Sequence, residues 1–380
     1  MRTASLGLVA LILAVNVLSV RAWIHPGILH KLSDMDRMSS YISAGLAGTS
    51  SPQYQDYLLF AADKFSSDVY QMSTPVATLT SRASFEADAT AAYQNALPSS
   101  SSTVSQMWKL TGIQLHATKA IEIMDAWSGT LKSVDPNYLD MQLASSLGPS
   151  IMTNAAEIIR YTSAGWTASG ISRFSSMLNN VFYPRLNNHT GVQYEANVGT
   201  GNTKALMAFG VFTENTTMYN EAISLYSNER CSGLALDISP TGQSSESGRD
   251  QGHAQLGLGN LAESCQIAWI QGTNDLFALL SNRLLMGYEY TAKYNLGNTV
   301  SYDATFQRCD ANLLGGPFTV ISPTGRGVFR PIYELAYAHY VSIKGLSMPF
   351  SLQIINRVGT EEGNTSPADG SGWGTLKFRL

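Results

Sequence analysis

The stretch Gln243-Ser244-Ser245-Glu246-Ser247-Gly248-Arg249-Asp250-Gln251-Gly252-His253 runs into Leu258, Leu261, Ala262, Cys265, Ala268 and Trp269. The apolar series has helical spacing and predicts a buried helix. Extended backward, that helix would put Glu246, Arg249 and His253, three and four residues apart, on one face. Charged residues make up 14% of the chain, against roughly 25% in an average protein. In so sparsely charged a sequence, a carboxylate, a guanidinium and an imidazole set close together beside a core helix mark a place where the interior meets an opening. That is a place suited to chemistry.

The same period recurs outward from this stretch. Ala120, Ile123, Met124 and Trp127 follow it, as do Ile171, Phe174, Leu178 and Val181. So do Tyr219, Ala222, Ile223 and Tyr226, then Leu276, Leu280, Leu284 and Tyr288, then Tyr333, Ala336, Tyr337 and Tyr340. Strand-like alternation is scarce and concentrated near the C-terminus, as in Leu376-Lys377-Phe378. Many helices joined by short polar loops predict an all-α fold of stacked αα-hairpins, closing into a ring with one helix layer inside and one outside. The Ser-rich run from Pro98 to Thr103 reads as a loop between helices, and no low-complexity linker divides the chain.

The first residues carry an export pattern. Met1-Arg2 is basic, Leu6 to Val20 is an apolar run broken by Gly7, Asn16 and Ser19, and Val20-Arg21-Ala22 resembles a small-x-small cleavage site. The expected organisation is a signal peptide over 1–22 and one domain over 23–380, secreted to the extracellular space. Three sequons, at Asn188, Asn215 and Asn364, agree with that route. No later segment is apolar for long enough to span a bilayer, so no membrane anchor is expected.

Without Arg2 and Arg21 the mature chain has 22 basic and 28 acidic residues. That acidity argues against nucleic acid as a partner. It leaves room for a polyanion, because local arginines and histidines can oppose the net charge. Cys231, Cys265 and Cys309 form neither a dense disulfide scaffold nor a zinc framework. One disulfide with three choices of pair is open, and Cys265 sits on the apolar face of its helix. No metal motif or cofactor motif is present. Aromatic residues at loops or helix ends, Trp166, Tyr183, Tyr194 and Tyr302, are candidates for stacking on sugar rings.

From about Tyr183 to Phe350 the chain resembles the alginate-lyase superfamily. The resemblance rests on Asn197 before Ala205-Leu206-Met207-Ala208-Phe209-Gly210-Val211-Phe212 and on Glu246-Ser247-Gly248-Arg249-Asp250-Gln251-Gly252-His253. It continues through Ala268-Trp269-Ile270-Gln271-Gly272, Glu289-Tyr290-Thr291-Ala292-Lys293-Tyr294-Asn295-Leu296-Gly297 and Arg326-Gly327-Val328-Phe329-Arg330-Pro331-Ile332-Tyr333-Glu334. It looks most like polysaccharide lyase family 38. Val198 follows Asn197 where the family pattern leads one to expect Trp. The resemblance implies an (α/α) toroid, an incomplete barrel of helical hairpins, and an enzyme that cleaves alginate or glucuronan.

Uronate polymers are cut by β-elimination, which needs a base for the proton at C5, an acid for the leaving oxygen at C4, and groups that neutralise the sugar carboxylate. An imidazole titrates near neutral pH, so His253 is the leading base or base partner, ahead of His189 and His339. Asn197, Arg249 and a protonated Glu246 are the expected neutralisers. A salt bridge from Glu246 to Arg249 is the bland alternative. Lyases of this kind commonly use a tyrosine as acid and sometimes as base, here Tyr302 close to Arg308, where a phenolate would be stabilised, with Tyr294 as runner-up. Gln251, Tyr294, Arg326 and Arg330 are expected to bind substrate, the arginines through uronate carboxylates. Two other readings compete: a glycoside hydrolase on a similar toroid, which needs two carboxylates flanking the scissile bond, and a non-catalytic glycan-binding protein that kept the aromatics and has no need of His253.

Overall fold

A computed structural model describes residues 22–97, 113–187, 195–361 and 369–380. The expected signal peptide, the Ser-rich run, His189, Tyr194, Asn188 and Asn364 lie outside these residues, apart from Ala22. The described chain is helical. Its one small sheet pairs β1 (Thr78–Leu79) in parallel with β2 (Ser133–Val134), Thr78 opposite Ser133.

The helices are α1 (Leu32–Leu46), α2 (Pro52–Ala62), α3 (Ala83–Ala96), α4 (Ile113–Thr130), α5 (Met141–Arg160) and α6 (Ala168–Met177). They continue with α7 (Ala196–Phe212), α8 (Thr216–Asn228), α9 (Gln251–Gln271), α10 (Leu279–Asn295), α11 (Tyr333–Tyr337) and α12 (Pro349–Val358). Polar side chains start several of them. Ser51, Thr167 and Asn215 each accept a hydrogen bond from the backbone N–H three residues on, at 3.0 to 3.1 Å. Each supplies a donor-rich helix start with one of its missing acceptors.

Packing sorts the helices into two layers. α3 packs on α5, α5 on α7 and α7 on α9, so alternate helices form a contiguous inner row. α4 and α6 pack together behind that row, and α8 lies against α7. In α7 every residue except Val198 is buried, and α9 is buried on nearly all sides. A helix apolar or satisfied all round belongs to the interior. The chain's end returns to its start: the turn Gly374–Lys377 packs on α2, where Leu376 N donates to Asp56 Oδ2 at 2.7 Å. This is the (α/α) toroid that the hairpin pattern predicts.

Most of the periodic stripes are core. Ala120, Ile123, Met124 and Trp127 are buried, as are Phe174, Leu178 and Val181. The second series runs into a π-helical segment, Leu178–Phe182. Two expectations fail. Leu280, Ser281 and Asn282 all have positive φ, so the Leu276-to-Tyr288 stripe is two helical pieces joined by a left-handed turn, and Leu280 is exposed. Leu376-Lys377-Phe378 is no strand: Gly374–Lys377 is a helical turn whose buried residues alternate for no sheet.

Candidate active site

The turn ahead of α9 is where the charged stretch departs from a simple helix. Asp250 is extended, at φ −169° and ψ 165°, and caps α9 through Oδ1, which accepts from His253 N at 2.8 Å. The helix therefore begins at Gln251. Glu246 to Arg249 lie in a separate turn, and Glu246 does not share a helical face with His253. The spacing misleads because a capping aspartate breaks the helix between them.

The same Asp250 holds the imidazole. Its Oδ2 lies 2.6 Å from His253 Nδ1, which leaves Nε2 as the outward atom of a side chain 36% exposed. Burial alone would raise the Asp250 carboxyl. The hydrogen bonds from the His253 ring and backbone, with Arg249 nearby, outweigh burial and hold it below the usual carboxylate range. Arg249, 26% exposed, stands between Glu246 Oε1 at 3.5 Å and Asp250 Oδ2 at 3.8 Å.

A long loop, from Leu296 to Ile332, lies along this turn and fixes it. Arg308 N donates to Ser245 O, Ser322 N to Ser247 O, and Gln251 N to Thr324 O. Gln243 Nε2 donates to the carbonyls of Asp303 and Phe306, each at 2.9 Å. The disulfide between Cys231 and Cys309 ties the loop to the segment before α9. Cys265 is the free thiol, buried against the Tyr226 hydroxyl, as its helix position suggests. Glu195 comes close to both bridged sulfurs. Sulfurs bonded to each other offer a metal no thiolate ligand.

Several expected site residues are support rather than surface. Glu246 is 1% exposed, and its main partner is Arg308, whose Nη1 donates to Oε1 at 2.6 Å. Burial raises its carboxyl, and Arg308 and then Arg249 pull it back down. The expected bridge to Arg249 is present but longer. Asn197 is also 1% exposed, and its side-chain oxygen is sealed from solvent without a partner. Gln251 is buried: its amide nitrogen donates to Ser322 O at 3.0 Å, and its oxygen accepts from Asn295 Nδ2 at 3.0 Å. It ties the loop to α10 instead of binding sugar.

Tyr302 sits at the turn, but its hydroxyl is not bonded to Arg308. Its hydroxyl donates to Phe318 O at 2.9 Å, while Arg308 faces Glu246 and Asp310. Gly248 makes the approach possible, since a Cβ there would collide with the Tyr302 hydroxyl and with Phe318. Burial and the neighbouring Asp303 raise the Tyr302 phenol, so it keeps its proton. That suits an acid and contradicts a stabilised phenolate. Tyr294 is buried beneath Arg326, whose guanidinium stacks 4.0 Å above the ring. Arg326 also donates to Tyr294 O and Asn298 O, so much of its fork is used within the protein. Trp166 is buried too, its indole N–H on Asp125.

Arg330 reaches the start of α9: its Nη2 would stand 3.9 Å from a Cβ built on Gly252. Asp369 holds it at 2.8 Å and also meets Arg82, which is bound to Glu86. Sequence reasoning gave no role to Asp250, Arg82 or Asp369, and it set Arg308 beside Tyr302 where the structure sets it on Glu246. Only Asp250 carried a readable signal, an aspartate three residues before a histidine at a helix start. The structure thus brings Arg249, Asp250, His253, Tyr302 and Arg330 around one helix terminus.

Comparison with known proteins adds the family. The family described as alginate lyase matches residues 47–300. No curated protein matches the chain in sequence. Among solved structures, alginate lyase A1-III in a histidine-to-alanine variant without ligand is similar at TM-score 0.63 and 12% identity, over 93% of this chain and 97% of that one. A tyrosine-to-phenylalanine variant complexed with a tetrasaccharide gives 0.62 and 11%, with the same coverage. The enzyme from Sphingomonas species A1 at 1.78 Å resolution gives 0.61 and 12%, again over 93% and 97%. At such identity the likeness is one of fold.

Proposed function

The chain belongs to the alginate lyase family of polysaccharide lyases, and we propose that it cleaves alginate or glucuronan by β-elimination, leaving 4,5-unsaturated uronide ends. The observation that carries this reading is the Asp250–His253 pair at 2.6 Å, open at Nε2 and flanked by Arg249. A carboxylate on Nδ1 fixes the tautomer that leaves Nε2 free to accept a proton. In the proposed reaction His253 Nε2 takes the proton from C5. The electron pair of that bond forms the C4–C5 double bond, and the C4–O bond breaks with its pair on the departing oxygen. Tyr302, which holds its proton, supplies it to that oxygen once its hydroxyl turns from Phe318.

Arg249 opposes the sugar carboxylate as negative charge builds on it during proton removal. Arg330 and, through the part of its fork left over, Arg326 bind carboxylates of neighbouring sugars. Glu246 and Asn197 lie buried below the surface. A hydrolase reading fits less well. Glu246 is buried and paired, and Asp250 is held by His253, so neither stands as a free acid across a scissile bond.

The proposed route is secretory. The export pattern over residues 1–22, the Cys231–Cys309 bridge and the sequon at exposed Asn215 support it. The helix cap at Asn215 uses Oδ1 and not the amide nitrogen that a glycan bonds. No described helix is long and apolar enough to cross a membrane.

The test is incubation with mannuronate, guluronate and glucuronate polymers, followed by ultraviolet absorbance of the unsaturated end. Growth of that absorbance on one or more polymers supports the reading. New reducing ends without it would replace lyase by hydrolase.

A further inference from the structure

Arg308 is the most heavily used buried cation near the site. Its Nη1 donates to Glu246 Oε1 at 2.6 Å, and its Nε and Nη2 grip Asp310, the latter at 2.8 Å. Its backbone N–H donates to Ser245 O, next to Glu246 itself. Its neighbour Cys309 is bonded to Cys231, whose carbonyl accepts from Ala196 N at the start of α7. The guanidinium therefore has one position, fixed by a carboxylate fork, a main-chain bond and a covalent tie.

Glu246 has two cationic neighbours that share one oxygen. Arg308 lies at 2.6 Å and Arg249 at 3.5 Å from Oε1, while Oε2 is sealed without a partner. The other groups acting on it are His253 and Asp250 on the α9 side and Asp237 from the segment before the turn. A buried carboxylate that loses its close cation is left as an uncompensated charge, which attracts the next cation in reach. The next one is Arg249, the partly exposed group beside the His253 pair.

We propose that Arg308 is a positioning residue: by satisfying Glu246 it keeps Arg249 in only a long contact with that carboxylate, available to the substrate's own carboxylate, and the Cys231–Cys309 bridge holds Arg308 in place to do so. The inference rests on the lyase reading above. It concerns a residue that touches no substrate and acts through two others.

The experiment is a cycle of Arg308→Met, Glu246→Gln and the double variant in the full chain, assayed on whichever uronate polymer the parent cleaves. Arg308→Met should lower kcat roughly ten- to a hundredfold, with KM changed much less. Its activity should fall further as rising pH ionises Glu246, a limb that the parent lacks. Adding Glu246→Gln should restore most of the lost kcat and remove that limb, because a neutral amide does not capture Arg249. Should Arg308→Met fail to fold, Arg308→Lys is put through the same cycle, and partial loss with the same rescue is expected. A folded Arg308 variant with parental kcat and pH profile would overturn the inference. So would a loss that Glu246→Gln leaves in place, which would make Arg308 a structural tie only. A parent inactive in elimination on every polymer would instead overturn the lyase reading, and this inference with it.

Discussion

Asp250 does two jobs with its two oxygens: Oδ1 caps α9 through His253 N at 2.8 Å, and Oδ2 meets His253 Nδ1 at 2.6 Å. The start of a core helix and the aim of an imidazole are thereby one feature. Removing the carboxylate would disturb both, while removing the ring would disturb only the second. His253→Ala should cut turnover on the order of a hundredfold or more with little change in melting temperature. Asp250→Ala should cut turnover and also cost about 1 kcal/mol for the lost cap. Steady-state kinetics beside thermal melts check both. If His253→Ala keeps its turnover while His189→Ala loses it, the base is His189.

The three arginines should separate. Arg249→Ala should lower kcat, because its charge is wanted most as the intermediate forms. Arg330→Ala should mainly raise KM, since a subsite contact is present in ground and transition states alike. Arg326 is stacked on Tyr294 and bonded to two carbonyls, so its replacement should cost more stability than substrate binding. Equal small kinetic effects from Arg249 and Arg330 would place the substrate channel elsewhere.

Tyr302 is held close to the turn because position 248 has no side chain. Tyr302→Phe should reduce turnover while leaving the fold intact. Gly248→Ala should do at least as much harm, because the new Cβ displaces the Tyr302 hydroxyl and Phe318 together. A Tyr302→Phe variant with parental kcat would remove the phenol from the reaction. Tyr290, whose hydroxyl donates to Ser301 O beside it, would be examined next.

Asp237 gives a stability test under the site. Burial pushes its carboxyl up to about 7, against a hydrogen bond from Ser245 and with Glu246 adding to the rise. Between the ordinary carboxyl range and about 7, the unfolded chain has released this proton while the folded chain keeps it. The group's contribution to stability is therefore full at low pH and lost as pH rises through that window. Asp237→Asn, which has no proton to lose, should gain melting temperature relative to the parent between pH 5 and pH 8. A constant difference across that range would show that Asp237 does not titrate there.

The sequence carried the helices well because burial is periodic and the apolar stripes are long. Leu280 misled because three residues in the left-handed region turn the chain without any glycine or proline to mark them. At the site, residue types were legible and depth was not. Glu246, Asn197 and Gln251 have the chemistry of a lyase site, yet all three are buried, Glu246 and Gln251 against the loop from Leu296 to Ile332, whose path has no period to read. Arg308 reaches Glu246 across 62 residues, a distance in sequence that spacing alone does not bridge. His253 and Arg249 stayed open because the capping Asp250 turns the chain at the mouth.

The central claim is elimination, and product stoichiometry tests it most directly. The polymer that the parent cleaves is digested, and olefinic protons at C4 of the new non-reducing ends are counted by nuclear magnetic resonance against new reducing ends. One olefinic end for each new reducing end is the predicted result. Reducing ends that accumulate without olefinic ends would contradict the account.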